Sequence, residues 1–162
     1  MLDRIYAPWR SMYFKMDKPD GCLFCEVQNQ TEDRSAGILH RGKHWFVIIN
    51  LFPYTSGHIM VVARRHIGRL AEISAEEGTE LVGLLGTCER ALDEAYRPDA
   101  MNTGVNRGAS AGAGVDGHIH FHLVPRWNGD TNFMTAIAGT RVISEDPAET
   151  YARLRPFFAD PA

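Results

Sequence analysis

Apolar and polar positions along this chain switch between a period of two and a helical period, and the switches mark its elements. Around Ile38 and Leu39, and again from His44 to Asn50, short apolar runs read as two strands. The second carries Trp45, Phe46, Val47, Ile48 and Ile49, and a turn at Arg41, Gly42 and Lys43 joins the pair. Pro53 and Gly57 make 51–57 a loop, after which His58 to Ala63 reads as a third strand. The period then lengthens. Ser74 with Glu77 three residues on has the form of a capping box, and Leu81, Leu84, Leu85, Cys88, Leu92 and Ala95 follow on one helical stripe that closes at Arg97 and Pro98. A fourth strand falls near Met101–Asn106, a glycine-rich loop covers 108–114, and a fifth strand runs from Ile119 to Val124 and stops at Pro125. Pro147 opens a last helix at its first position, where a missing N–H costs nothing, and Pro156 closes it. Strands set off by turns and one long helix, without regular βαβ alternation, predict an α+β fold: a mostly antiparallel five-stranded sheet, one long helix and a C-terminal helix.

A length of 162 residues is that of one compact domain. We expect a single domain over 1–162, with an irregular extension at 1–20, a core over about 20–143 and the last helix over about 147–158. The composition, 44% hydrophobic and 23% charged, is that of an ordinary globular chain. A net charge of −3 argues against a broadly basic nucleic-acid binder but leaves room for a local cationic pocket. Asp3, Arg4, Arg10, Lys15, Asp17 and Lys18 interrupt any apolar run of the kind a signal peptide needs, and no stretch reads as a membrane span. The expected location is the cytoplasm, without membrane or nucleic-acid partners. In that reducing compartment the three cysteines are not expected to form a structural disulfide. Cys88 lies on the apolar stripe and reads as a buried, inert thiol; Cys22 and Cys25 read as metal or redox candidates.

The most informative stretch is His118-Ile119-His120-Phe121-His122. In a strand the three histidines share one face, about 6.6 Å apart, while Ile119, Phe121 and Leu123 face the other way toward the helix. With seven histidines in the chain, chance gives only about 0.01 copies of this spacing. Satisfied structural histidines and a plain three-histidine metal site stand beside a nucleophilic role.

His-φ-His-φ-His-φ-φ, where φ is apolar, resembles the defining motif of the histidine-triad, or HIT, family. The stretch from Asn50 through Gly57 and His58 to Val62 is similar to that family's nucleotide-binding strand pair. Further similarities are Asn102, Asn106 and the glycine-rich loop. Ala7-Pro8-Trp9-Arg10, together with Pro125-Arg126-Trp127 and Gly129-Asp130-Thr131-Asn132-Phe133, resemble the bacterial branch that contains diadenosine-tetraphosphate phosphorylases. The resemblance runs from Arg4 to about Ile143. It implies a HIT-like fold, a small-molecule nucleotide substrate and a homodimer. It implies that His120 is the nucleophile attacking an α-phosphorus to form a nucleotidyl-histidine, with its other ring nitrogen donating to the His118 carbonyl. His122 would then bind phosphate oxygens, His58 would complete the polar pocket, and Asn50 would contact the ribose. Asn106, Gly108, Ser110, Gly112 and Gly114 would join Asn50, His120 and His122 in holding the nucleotide, the glycines by presenting backbone N–H groups. Several family hydrolases carry Gln or Ser just before the motif, where this chain has Ala113, Gly114 and Val115. Hydrolysis and phosphorolysis therefore both stay open, as do AMP-amine and adenylyl-sulfate substrates.

Cys22-Leu23-Phe24-Cys25 has zinc-knuckle spacing, though a redox pair shares it. The same resemblance implies that His66 and His118 complete a four-ligand structural zinc site with Cys22 and Cys25. Arg64, Arg65 and Arg69 read as a solvated basic patch, and His40 and His44 as solvated. Arg107 and Arg126 are candidate phosphate contacts, and Trp127 is a candidate for packing, base stacking or an interface. Three rival functions remain. A hexose-1-phosphate uridylyltransferase-like enzyme is disfavoured by His122, where that relative has Gln. A zinc-binding interaction module without catalysis and a His-cluster metallohydrolase are the others.

Overall fold

The computed structural model describes residues 21–131, 137 and 143–159; the 1–20 extension, Ala7-Pro8-Trp9-Arg10 and Asn132-Phe133 lie outside them. Two short helices come first, α1 (Leu23–Val27) and α2 (Asp33–Ala36). Strands β1 (Ile38–Arg41), β2 (Trp45–Ile49) and β3 (Ile59–Ala63) lead to the long helix α3 (Ala75–Tyr96), and β4 (Ala100–Val105), β5 (His120–Arg126) and α4 (Pro147–Leu154) follow. The strands form one sheet in the order β1-β2-β3-β5-β4, with every neighbouring pair antiparallel. This is the expected α+β architecture.

Both faces of the sheet are covered, which is why β2 and β3 read as unbroken apolar runs. Trp45, Val47, Ile49, Ile59 and Val61 point to one side, where Leu81, Leu84, Cys88 and Leu92 of α3 and Tyr151 and Leu154 of α4 close the main core. Phe46, Ile48, Met60 and Val62 point to the other side and pack under Phe24, Ala36 and Ile38. Ile119 and Leu123 enter the main core as expected, and the Phe121 ring lies edge-on to Trp45 at 5.9 Å. The register pairs Val62 with His120 and Met60 with His122, so these two histidines border the smaller core.

Several boundaries differ from the expected ones, each for a local reason. The segment before β1 has helices of five and four residues, too short to show a period. Strand β1 extends to Arg41, and Gly42 N–H donates to the Trp45 carbonyl. The Glu80 carboxylate of α3 accepts from the amides of His44 and Trp45 and fills the space a side chain at Gly42 would need. His58 immediately precedes β3. Strand β5 runs through Pro125 to Arg126: beyond the last β3–β5 pair, Ile59 with Leu123, β4 is the one strand among the described residues that flanks it, and the Pro125 carbonyl accepts from the Thr55 hydroxyl. A proline at that point deletes no ladder hydrogen bond to β3. Helix α3 begins in the expected capping box of Ser74 and Glu77 and ends on Arg97 in the left-handed conformation common at helix C-termini, with Pro98 unable to continue the helix. Helix α4 starts at Pro147 under an Asp146–Glu149 capping box, and its last turn, with Pro156, is a 3-10 helix over Arg155–Phe158.

Arg64, Arg65 and Arg69 are exposed, as expected of a solvated patch; Arg65 also pairs with Glu77 at 3.0 Å and donates to the Glu72 carbonyl, and Arg64 donates to the Gly42 carbonyl. Two side-chain readings are corrected. His40 is half-buried against the Phe158 ring. His44 is half-buried beside Glu76.

Packing outweighs capping in holding α3. Leu92, fully buried, leaves a cavity when truncated, and Leu92→Ala should cost about 2–5 kcal/mol, whereas Ser74→Ala should cost about 1 kcal/mol. Urea unfolding of the two variants checks the order; a cap variant that loses as much as the core variant would contradict it.

Candidate functional site

The histidines of the triad do not all face one ligand. His118 precedes β5, and its backbone neighbour Ile119 bonds to Ile67 and Ala63. This brings the start of the motif against the segment that follows β3. The hydrogen-bond partners of each ring then assign its tautomer. His118 Nε2 lies 2.6 Å from the Ala63 carbonyl and must carry the proton, leaving the lone pair on Nδ1. His120 Nδ1 lies 2.7 Å from the His118 carbonyl and donates to it, leaving Nε2 as a free base. The Tyr54 amide donates to His58 Nδ1 at 3.0 Å, so His58 is protonated on Nε2, which donates across 2.9 Å to His122 Nδ1. His122 therefore keeps its proton on Nε2, and the Asn106 carboxamide 3.5 Å away meets that donor with its oxygen when its amide is oriented to suit this network. One ring presents a lone pair and its neighbour presents a donor, their centroids 4.9 Å apart.

Burial keeps these rings neutral. Desolvation lowers the pKa of His120 although its bond to the His118 carbonyl opposes the shift. Desolvation, helped by the nearby His120 charge, lowers His122 to about 4, and the same burial with both neighbours lowers His58 to about 3. A neutral imidazole is the form able to act as a nucleophile.

His120 and His122 line a cavity of 340 Å³. Its apolar walls come from Leu23, Phe24 and Val27 of α1 and from Ile48 and Met60. Asn50, Gly112 and Gly114 line it too. The Asn50 side chain is steadied by accepting from the Phe52 amide at 2.8 Å. Of the remaining expected nucleotide contacts, Asn106 borders His122 in a cleft on the β4 side. Gly108 and Ser110 do not line the cavity: Ser110 lies within a 3-10 turn over Ala109–Ala111 between Gly108 and Gly112, and Gly108 borders a different cleft beside His66 and Arg107. Arg126 is committed to Asp130 and Asn102 and is not a free phosphate contact. Arg107 is exposed and lines the same cleft as Gly108. Trp127 stands edge-on to Tyr96 at 6.4 Å, in a cavity that lacks His120.

Two residues that border the triad carried no functional reading in the sequence. The Phe24 ring centroid is 4.9 Å from His120 and 5.4 Å from His118, and its place between the two cysteines was its only signal. Tyr54 packs on His58 at 4.5 Å and stacks on His122 at 5.7 Å; in the sequence it is one aromatic within a loop.

The cysteine pair meets the two expected histidines. Cys22 and Cys25 at the start of α1, the exposed His66 and the buried His118 bring four ligand atoms within 4.8 Å of one another. Cys22 Sγ is 3.1 Å from His118 Nδ1, and Cys25 Sγ is 3.4 Å from His66 Nδ1 and 3.6 Å from His118 Nδ1. Sulfur and nitrogen ligands on a tetrahedral ion at bond lengths of about 2.3 and 2.1 Å lie at such separations, and the lone pair assigned to His118 Nδ1 points into the cluster. These residues could hold a metal ion. Gly68 and Gly117 let the two histidine segments touch, since a Cβ at Gly68 would sit 3.2 Å from the Gly117 backbone.

A model of the HIT domain matches residues 31–129. An AP-4-A phosphorylase of Mycobacterium tuberculosis is 35% identical over 153 residues, covering 89% of this chain and 78% of that protein. A bis(5'-nucleosyl)-tetraphosphatase (asymmetrical) of Schizosaccharomyces pombe is 29% identical over 93 residues, 57% of this chain and 50% of the relative. Among solved structures, a zinc-bound histidine triad family protein from Mycobacterium smegmatis superimposes with a TM-score of 0.67 at 27% identity, covering 86% of this chain and 94% of that one. A hypothetical histidine triad nucleotide-binding protein from Sulfolobus tokodaii shares the fold with a TM-score of 0.66 at 23% identity, covering 85% and 91%.

The lowered His122 pKa has a stability consequence. Between the ordinary value of about 6.5 and about 4, the unfolded chain binds a proton at this position that the folded one refuses. Stability is therefore present above pH 6.5 and lost as pH falls through that window, by about 3 kcal/mol at most. In His122→Gln the loss between pH 7 and 4 should be shallower than in the wild type; parallel stability curves would show that His122 is not held neutral.

Proposed function

The chain belongs to the HIT domain family, and we propose that it cleaves nucleoside polyphosphates such as diadenosine tetraphosphate at the α-phosphate through a nucleotidyl-His120 intermediate. The observation that carries this reading is the His120 tautomer: its Nδ1–H is held by the His118 carbonyl, and Nε2 is a free base at a cavity shared with Asn50. One nucleoside would occupy the apolar end of that cavity, with Asn50 at the ribose and the backbone of Gly112 and Gly114 near the phosphates.

In the first step the His120 Nε2 lone pair attacks the α-phosphorus. The N–P bond forms, the P–O bond to the departing phosphate chain breaks with its electron pair, and ATP leaves. The positive charge on His120 is stabilised by the His118 carbonyl, and the His122 Nε2–H donates to a phosphoryl oxygen as charge develops there. His58 holds His122 in the tautomer that makes it a donor. In the second step an oxygen nucleophile attacks the phosphorus and the N–P bond breaks, returning neutral His120. With inorganic phosphate the products are ADP and ATP; with water they are AMP and ATP. Likeness to the phosphorylase over most of the chain, together with Ala113, Gly114 and Val115 where several hydrolases carry Gln or Ser, favours phosphate.

Zinc is the metal we assign to the cysteine–histidine cluster. Two thiolates and two imidazoles match its preferences, and four protein ligands leave no open position for substrate or activated water. Its contribution would be structural, fixing the carbonyl that holds His120. A homodimer is proposed with this reading: among the described residues β4 pairs with β5 alone and is largely exposed, which leaves a strand edge for a second copy. The proposed location is the cytoplasm; no helix among the described residues is long and apolar enough to cross a membrane.

Replacing the nucleophile should abolish chemistry and spare binding. His120→Asn should lower kcat by several orders of magnitude with the Kd for AMP within a few-fold of wild type; turnover within tenfold would end the nucleophile assignment. Chromatography of the products from diadenosine tetraphosphate, with and without phosphate, tests the second step. ADP plus ATP and a phosphate-dependent rate are expected, whereas dominant AMP at a phosphate-independent rate makes the enzyme a hydrolase.

A further inference from the structure

We propose that the metal cluster sets the affinity of the nucleotide pocket, with Cys22 and Cys25 acting as positioning residues for the cavity wall; the inference rests on the nucleotide-enzyme reading above. Helix α1 belongs to both sites. Cys22 is its N-cap and Cys25 lies within it, while Leu23, Phe24 and Val27 of the same five residues line the cavity with His120.

A helix of five residues does not hold its shape alone, and the Cys22 side chain makes no capping bond. Its C-terminal end is tied to the sheet without any metal. Arg41 donates to the carbonyls of Gln28 and Gln30, and the Gln28 side chain donates to the Arg64 carbonyl at 2.8 Å. At its N-terminal end, among the described residues, the polar attachment to the rest of the fold is the approach of the two thiols to His66 and His118. A metal turns that approach into bonds. Phe24 stands between the two thiols and is nearly fully buried, with its ring against both His118 and His120. Withdrawing the ion frees one end of the wall while the other stays anchored, so Phe24 and Leu23 lose their fixed place over the cavity. Linkage makes the effect reciprocal: whatever factor the metal adds to nucleotide affinity, nucleotide adds to metal retention.

The probes are zinc(II) and AMP, with the full chain in zinc-loaded form and after stripping by a chelator. Titration calorimetry should give an AMP Kd about tenfold or more weaker in the stripped protein. Circular dichroism should show the sheet and α3 retained. Saturating AMP should slow zinc transfer from the loaded protein to a chromogenic chelator by a comparable factor, a measurement that does not need stripped protein to stay folded. Phe24→Ala should keep about one zinc per chain and lose AMP affinity, with Phe24→Tyr restoring most of it. Leu92→Ala, destabilised in the other core, should leave the AMP Kd unchanged. Equal AMP affinity in both metal states, or zinc transfer indifferent to AMP, overturns the coupling and leaves the nucleotide reading intact. Zinc-loaded protein that binds no AMP overturns both.

Discussion

The site depends on the placement of His118, whose three polar atoms hold three different parts of the molecule. Its Nε2–H is fixed by the Ala63 carbonyl at the end of β3, its Nδ1 faces the two thiols, and its own carbonyl receives His120. Each bond specifies the next. Were the ring flipped, Nδ1 could not offer a lone pair to the cluster. Were the backbone displaced, the free nitrogen of His120 would change identity. A bond of this kind contributes about 1 kcal/mol to stability; its larger effect is to select one tautomer from two.

A second chain of the same kind reaches His122 from the opposite direction. It starts at the Tyr54 amide and passes through His58, and Thr55 fastens that loop to Pro125. Two adjacent rings on one strand thereby differ in chemistry, one a base and one a donor, because backbone groups on different elements choose for them. Burial then removes the charged form from both, so the difference persists through neutral pH.

Much of this was legible in the sequence. The apolar runs of β2 and β3 and the stripe of α3 gave the layers, since a period is a direct image of which face is covered. The triad spacing placed three histidines together, and the resemblance to the HIT family supplied Cys22, Cys25 and His66 as companions of His118. The His120 tautomer was implied by the resemblance, but those of His118 and His122 were not legible, because they depend on Ala63 and on His58, both far away in sequence. Gly108 and Ser110 were expected at the phosphates from the resemblance and the loop's place just before the triad, but neither says where a 3-10 turn will carry the chain. Helices α1 and α2 were missed for lack of length, and with them went the role of Phe24 beside the triad.

The three cysteines differ in kind, and that gives the chain its own reporters. Cys88 lies fully buried on the core face of α3, its thiol pushed up to about 12 by desolvation, whereas Cys22 and Cys25 are only half-buried at a cluster facing His66. A thiolate-seeking reagent therefore meets two separate barriers in one molecule. The outer pair answers to local opening of the cysteine–histidine cluster, and the inner thiol answers to opening of the main core. Counting modified sulfurs over time distinguishes local loosening from global unfolding without any introduced label.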